Sequence, residues 1–232
     1  MDNTYILTID THSKFLIVVI AKNGIILSRY KRVQARQHCR LLIPTVEILL
    51  NKAGLCLNDI DYLSVNIGPG SFTGLRIGLA SVKGLSMAVD KPIIAFSSLE
   101  ALAFCVKNQF AFVCPLIDAK RGQVYSALYA YKTKSLSRIT DYFLCPVEQV
   151  LKDLKGKVIF TGDGLNLYAQ QIKKYKNINA MFAPQKLWYP NTANLAKLSY
   201  DYYQKRKFFS AKELSALYLY SESCTMRLLP HQ

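Results

Sequence analysis

The chain has 232 residues, 51% of them apolar, enough to build one large core or two smaller ones. Its longest unbroken apolar run, residues 15–21, is far too short to cross a bilayer, and the opening MDNTYILTID has an early acid and no basic leader, so neither a membrane span nor an export signal is expected. The formal charge is +15, with 12 Lys and Arg against 7 acids up to residue 110 and 18 against 8 beyond it, a diffuse excess that suits either a solvated lysine-rich surface or a face for nucleic acid.

Three β-rich runs, 5–10, 15–21 and 25–30, are separated by His12-Ser13-Lys14 and by Lys22-Asn23-Gly24. Asn-Gly is a strong hairpin signal, so the chain opens as an antiparallel meander. A helix is predicted over 36–53, with Leu41, Leu42, Thr45, Leu49 and Lys52 at helical spacing and Gly54 to end it. An apolar strand over 62–67 leads into the glycine-rich stretch GPGSFTGLRIG, residues 68–78, and then into a small-residue helix over 73–89. A strand over 92–96 follows, and Ser97 with Glu100 forms a capping box for another helix. A second unit begins near residue 111. Its predicted strands are 112–117, 123–131, 142–144 and 158–161, and its predicted helices are 147–154, 165–174 and 192–205. The runs Lys173-Lys174-Tyr175-Lys176 and Lys205-Arg206-Lys207 read as solvated helix ends.

Six cysteines, Cys39, Cys56, Cys105, Cys114, Cys145 and Cys224, lie in apolar segments without a C-x-x-C pair. Reduced, buried thiols in a cytoplasmic protein are the expectation, with no zinc or other metal site.

A strand that enters a glycine turn and opens a helix presents backbone N–H groups to an anion. Gly68, Gly70 and Gly74 permit tight turns, Ser71 and Thr73 are candidate caps, and Arg76 is placed one turn in to meet a phosphate or a partner carboxylate. Asp10, at the end of the first strand, is either the acid of such a site or a turn former. The same stretch reads equally well as a capped helix packed closely on a strand, with no ligand. It is not a P-loop, because Leu75-Arg76 follows Gly74 where Lys and Ser or Thr are required. A dinucleotide fingerprint would need an acid at the end of the next strand, which carries Phe96-Ser97-Ser98 instead.

No catalytic residues are assigned. His12, His38 and His231 are too scattered for a triad, and Gly84-Leu85-Ser86-Met87-Ala88 lies late in a helix instead of at a nucleophile elbow. His38, in the first turn of its helix, is expected at the surface or against a partner.

The stretch GPGSFTGLRIG matches the signature of the TsaB family letter for letter. The resemblance extends over nearly the whole chain: Ile6-Leu7-Thr8-Ile9-Asp10-Thr11 is similar to that family's opening strand, Arg36-x-His38-Cys39-x-x-Leu42-x-Pro44 to its first helix, Ile117-Asp118-Ala119-Lys120-Arg121-Gly122-Gln123-Val124-Tyr125 to a later element, and Gly162-Asp163-Gly164 to a second glycine turn. It implies an actin-like α/β fold with subdomains over 1–107 and 108–232, each a mixed sheet flanked by helices, the last helix being free to pack back on the first. It also implies a non-catalytic accessory subunit for threonylcarbamoyladenosine formation in tRNA, since the paired metal-binding histidines of the catalytic relative TsaD fall here on Ser98 and Leu102.

The implied partners are TsaD in a heterodimer, the ATPase TsaE, and tRNA through the complex, with a homodimer when the chain is alone. The implied interface is His38, Leu41, Leu42, Thr45 and Leu49 on one helix and Thr73, Arg76, Ile77 and Ala80 on the other. No cofactor is required of this chain, and ATP or ADP would sit at the subunit boundary. Two other functions are carried beside this one: a weak nucleotide hydrolase of the same superfold and a direct tRNA-binding module. The chain departs from the family pattern at Asp10-Thr11-His12, where Asp-Thr-Ser is usual, at Lys120-Arg121-Gly122-Gln123, and at Leu217-Tyr218-Leu219-Tyr220, which lacks an arginine after Tyr-Leu.

Overall fold

The structure, a computed structural model, describes residues 3–34, 37–106, 108, 110–133 and 135–219. The described residues divide into two compact units, the first made of residues 3–98 and 191–217, the second of 99–190. The change of unit comes at residue 98 and not at 107, because Leu99, Leu102 and Ala103 join the apolar cluster of Val113, Ala127 and Tyr129.

The first unit is built on strands β1 (Tyr5–Asp10), β2 (Phe15–Lys22), β3 (Ile25–Val33), β4 (Tyr62–Asn66) and β5 (Ile93–Phe96), in spatial order β3-β2-β1-β4-β5. Asn23 and Gly24 both take positive φ, 49° and 76°, as a two-residue hairpin between β2 and β3 requires. β1 runs antiparallel to β2 and parallel to β4, and β4 is parallel to β5. The parallel steps need crossovers, supplied by helices α1 (His38–Ala53) and α2 (Phe72–Val89).

Alternation along the strands decides which side each helix covers. Leu7, Ile9, Val18, Ile20, Leu63 and Val65 meet Leu42, Val46, Leu49 and Leu50 of α1 and Leu79 and Val82 of α2. Each such side chain, fully buried, contributes about 1.5–3 kcal/mol. On the opposite side lies α6 (Thr192–Gln204), where small hydroxyls allow close approach. Ser199 Oγ lies 2.9 Å from Thr8 Oγ1 and 2.8 Å from Ser64 Oγ, all three residues being fully buried. After α6 the chain returns to close the β5 edge, with Ile93 and Phe209 exchanging two backbone hydrogen bonds. β3, at the other edge, pairs with no further strand among the described residues.

The second unit opens with α3 (Ser98–Phe104) and then repeats this plan. β6 (Phe112–Lys120), β7 (Gln123–Ser126), β10 (Phe143–Pro146), β11 (Gly156–Thr161) and β12 (Ile178–Phe182) lie in the order β10-β7-β6-β11-β12, which is the first sheet's order over again. Helices α4 (Val147–Asp153) and α5 (Leu165–Ile172) make the crossovers. Two units of βββαβα sharing one strand order form the actin-like α/β architecture.

A hairpin, β8 (Tyr129–Lys132) and β9 (Ser135–Arg138), is inserted where the sequence predicts one continuous strand over 123–131. The break has a cause in β6. Pro115 has no N–H to donate, its carbonyl is taken by Ser126 Oγ at 2.7 Å, and Leu128 N–H donates to Thr140 Oγ1 at 2.9 Å in place of a ladder partner. β9 and β12 are absent from the sequence reading, each being a short strand of mixed polarity. The predicted helix starts and ends hold within a few residues, except that the expected start of α1 at Arg36 lies outside the described residues.

Among the described cysteines, Cys105, Cys114 and Cys145 are buried, as expected, whereas Cys39 and Cys56 are exposed. Burial pushes the Cys114 thiol up to about 12, with the Ser126 hydrogen bond pulling the other way. Among the described residues no helix is long and apolar enough to cross a membrane.

Candidate functional site

The glycine-rich stretch joins β4 to α2. Ser71 caps α2, its Oγ accepting from Gly74 N–H at 3.3 Å, while Thr73 lies exposed in the first turn. Gly70, Gly74 and Gly78 are spaced four apart and so fall on one face, which rests on the residues that leave β1. A Cβ on Gly70 would stand 2.6 Å from the His12 carbonyl oxygen. One on Gly74 would overlap the Thr11 carbonyl, and one on Gly78 the Thr11 hydroxyl. Hydrogen bonds tie the same surfaces together: Thr11 Oγ1 donates to the Gly74 carbonyl at 2.7 Å, and Ser71 N–H to the His12 carbonyl at 2.8 Å. The Gly68 N–H donates to Asn66 Oδ1 at 2.9 Å and the Leu75 N–H to the Ser71 carbonyl. Four amides of the stretch are thus engaged by protein acceptors.

The second unit carries a counterpart. Gly162, with φ of +100°, and Gly164 follow β11 and press on the backbone of Leu116, and the Gly164 N–H donates to the Leu116 carbonyl at 3.0 Å. The glycine turn is duplicated with the fold.

Asp10 is 1% exposed and makes a buried pair with His12, Oδ1 lying 2.6 Å from Nδ1 and accepting from the His12 backbone N–H at 3.0 Å. Asn66 Nδ2 lies 3.1 Å from the same ring nitrogen, its orientation set by the Gly68 bond. Burial alone would raise the Asp10 pKa, but the His12 charge and hydrogen bonds, helped by Asn66, hold it below its ordinary value. The residue that departs from the family pattern, His12, is therefore the one that occupies the Asp10 carboxylate. Oδ2 of Asp10 and Nε2 of His38 are buried without a hydrogen-bond partner among the described residues.

His38 is 6% exposed, so the surface position expected for it is corrected: it is enclosed at the start of α1. Burial depresses its pKa, partly offset by the negative charge of Asp10.

Of the residues expected at a partner interface, His38, Leu42, Thr45 and Leu49 are buried within the chain itself, and Leu41 is half-buried against the first core. Their side of α1 is the one the sheet needs. The outward side carries Ile43, 46% exposed, and Ile48, 53% exposed. On α2, Thr73, Arg76 and Ala80 are exposed and Ile77 is half-buried. The same face continues through Gly84, with open space where a Cβ would be, to Met87, which is 75% exposed. At its start the Arg76 guanidinium lies 4.0 Å over the ring of the exposed Phe72.

Two residues that resemblance aligns with the paired histidines of TsaD have other work. Ser98 Oγ donates to the Pro69 carbonyl, and Leu102 is 1% exposed in an apolar cluster. Asn66, the pairing of His12 with Asp10 and the close contact of Thr11 with the glycine face escaped the sequence reading. The available signal was the four-residue spacing of the glycines, which calls for a close-packed backbone partner.

The family model described as "TsaD: tRNA N6-adenosine threonylcarbamoyltransferase" matches residues 26–214. A Bacillus subtilis protein named "tRNA threonylcarbamoyladenosine biosynthesis protein TsaB" is 34% identical over 171 residues, 72% of this chain and 75% of that protein. The chain belongs to this family, among its TsaB (YeaZ) members. A Haemophilus influenzae protein of the same name is 28% identical over 99% of both chains. The crystal structure of an uncharacterized Pseudomonas aeruginosa protein with similarity to peptidase YEAZ superposes with a TM-score of 0.80 at 25% identity, covering 94% of this chain and 100% of that one. The TsaB signature is thus borne by a glycine face whose first partner is the chain's own β1 exit.

Proposed function

We propose that this chain is the non-catalytic accessory subunit for threonylcarbamoyladenosine formation in tRNA. It binds TsaD through the outward faces of α1 and α2, supports assembly with the ATPase TsaE, and so enables transfer of threonylcarbamoyl to tRNA adenosine. The observation that carries the reading is the α2 face: Thr73, Arg76, Ala80, Gly84 and Met87 form one exposed stripe on a helix that lies beside α1 with its exposed Ile43 and Ile48. Small residues flanked by large apolar ones let a partner helix approach closely and bury the rest. A face of this kind would also let two copies pair when TsaD is absent. ATP or ADP belongs at the boundary with the partner, because the Asp10 carboxylate is already closed into its pair with His12.

The test is co-elution with TsaD from the same organism. Ala80→Glu and Met87→Glu, at exposed positions, are expected to abolish the complex while leaving the melting temperature of the free chain within a few degrees. Co-elution of both variants at wild-type level would sink the reading.

A further inference from the structure

We propose that a cleft beside the open edge of β3 binds the phosphodiester backbone of RNA. The choice of RNA over other polyanions rests on the role in tRNA modification argued above. The cleft has a volume of about 640 Å³ and is lined by β3 (Arg29, Tyr30, Lys31, Arg32), by α1 (Ile48 and Lys52 among others) and by Thr192 at the start of α6. Four cations converge on it and no carboxylate lines it. Arg29, Arg32 and Lys52 are exposed and pair with no carboxylate among the described residues, and Lys31 lies 4.7 Å over the Phe15 ring, which holds its stem in place.

By contrast, a cleft of about 870 Å³ near the end of α2 sets Lys83, Lys91 and Lys212 beside Asp90. At β3 the sequence Ser28-Arg29-Tyr30-Lys31-Arg32 puts guanidinium forks, an ammonium and an aromatic ring in one edge strand. Arginine matches phosphate bidentately, and a tyrosine beside it offers a base a stacking surface. Cations on an edge strand also prevent strand-to-strand aggregation. That role needs no concavity, and it does not require Lys52 from α1 or Thr192 from α6 to face the same space.

The experiment compares two triple variants of the full chain that lose the same net charge. Arg29→Gln/Arg32→Gln/Lys52→Gln removes three of the four cations that line the cleft. Lys173→Gln/Lys174→Gln/Lys176→Gln removes three exposed cations at the end of α5. Binding of a fluorescent unmodified tRNA transcript is followed by anisotropy against salt. The cleft variant is expected to lose about tenfold or more in affinity and to flatten the log–log salt slope by about 2 to 3, with the control losing less than about threefold. Equal losses in the two variants, or no salt-sensitive binding by the wild type, would overturn the proposal. So would a cleft variant that binds tRNA normally but no longer co-elutes with TsaD, since the cleft would then serve an acidic protein surface. Co-elution of wild type with TsaD in the same preparation keeps failure here separate from failure of the accessory-subunit reading.

Discussion

Gly74 and Gly84 lie in the same helix and make opposite predictions. A methyl on Gly74 would overlap the Thr11 carbonyl, so Gly74→Ala should destabilise the chain by about 1–3 kcal/mol, as overpacking against an immovable backbone does. Gly84 has nothing within 4 Å of a built Cβ, so Gly84→Ala should stabilise the free chain by about 0.5–1 kcal/mol through helix propensity. Urea denaturation of the two variants distinguishes them, and a stabilising Gly74→Ala would refute the close-packing role of the signature. His38 gives a pH prediction. Its pKa in the fold lies below the ordinary 6.5, so on acidification the unfolded chain takes up the proton first and stability falls as pH drops through that value. Asp10, depressed below 3.8, gives stability that is lost only in stronger acid and does not enter this window. Denaturation at about pH 7.5 and about pH 5.5 should therefore show a loss in wild type that is smaller in His38→Gln. An unchanged pH dependence in the variant would mean that His38 is not buried as described.

At the scale of elements, the sequence is legible where one rule dominates. The β1–β3 meander, the helix stop at Gly54 and the crossover helices follow from period, turn residues and caps, and they appear where predicted. Legibility fails where a distant residue decides. The split of the predicted strand over 123–131 depends on Pro115 and Thr140, and no local pattern in residues 123–131 reports either. The assignment of α1 residues to a partner failed for a related reason: periodicity finds the apolar face of a helix, and on a helix that covers a sheet this face belongs to the core. Leu42 and Leu49 mark that face, whereas Ile43 and Ile48 are offset from it and stand outward. Asp10 was legible as a singular acid at a strand end, but its pairing with His12 and Asn66 required the turn geometry.

For the whole molecule, the repeated strand order and the repeated glycine turn describe a duplicated scaffold whose two halves diverged in use. The first unit holds the exposed α1 and α2 faces and the basic cleft, and the second adds the β8–β9 hairpin. The central proposal is that the chain enables a reaction it does not itself perform. The most direct test is reconstitution with TsaD, TsaE, ATP, threonylcarbamoyl-adenylate and unmodified tRNA, scoring threonylcarbamoyladenosine by mass spectrometry. The account predicts no product when this chain is omitted, none from the chain without TsaD, full product with wild type and a loss of at least about tenfold with Met87→Glu. Full modification in its absence, or modification by the chain alone, would contradict it.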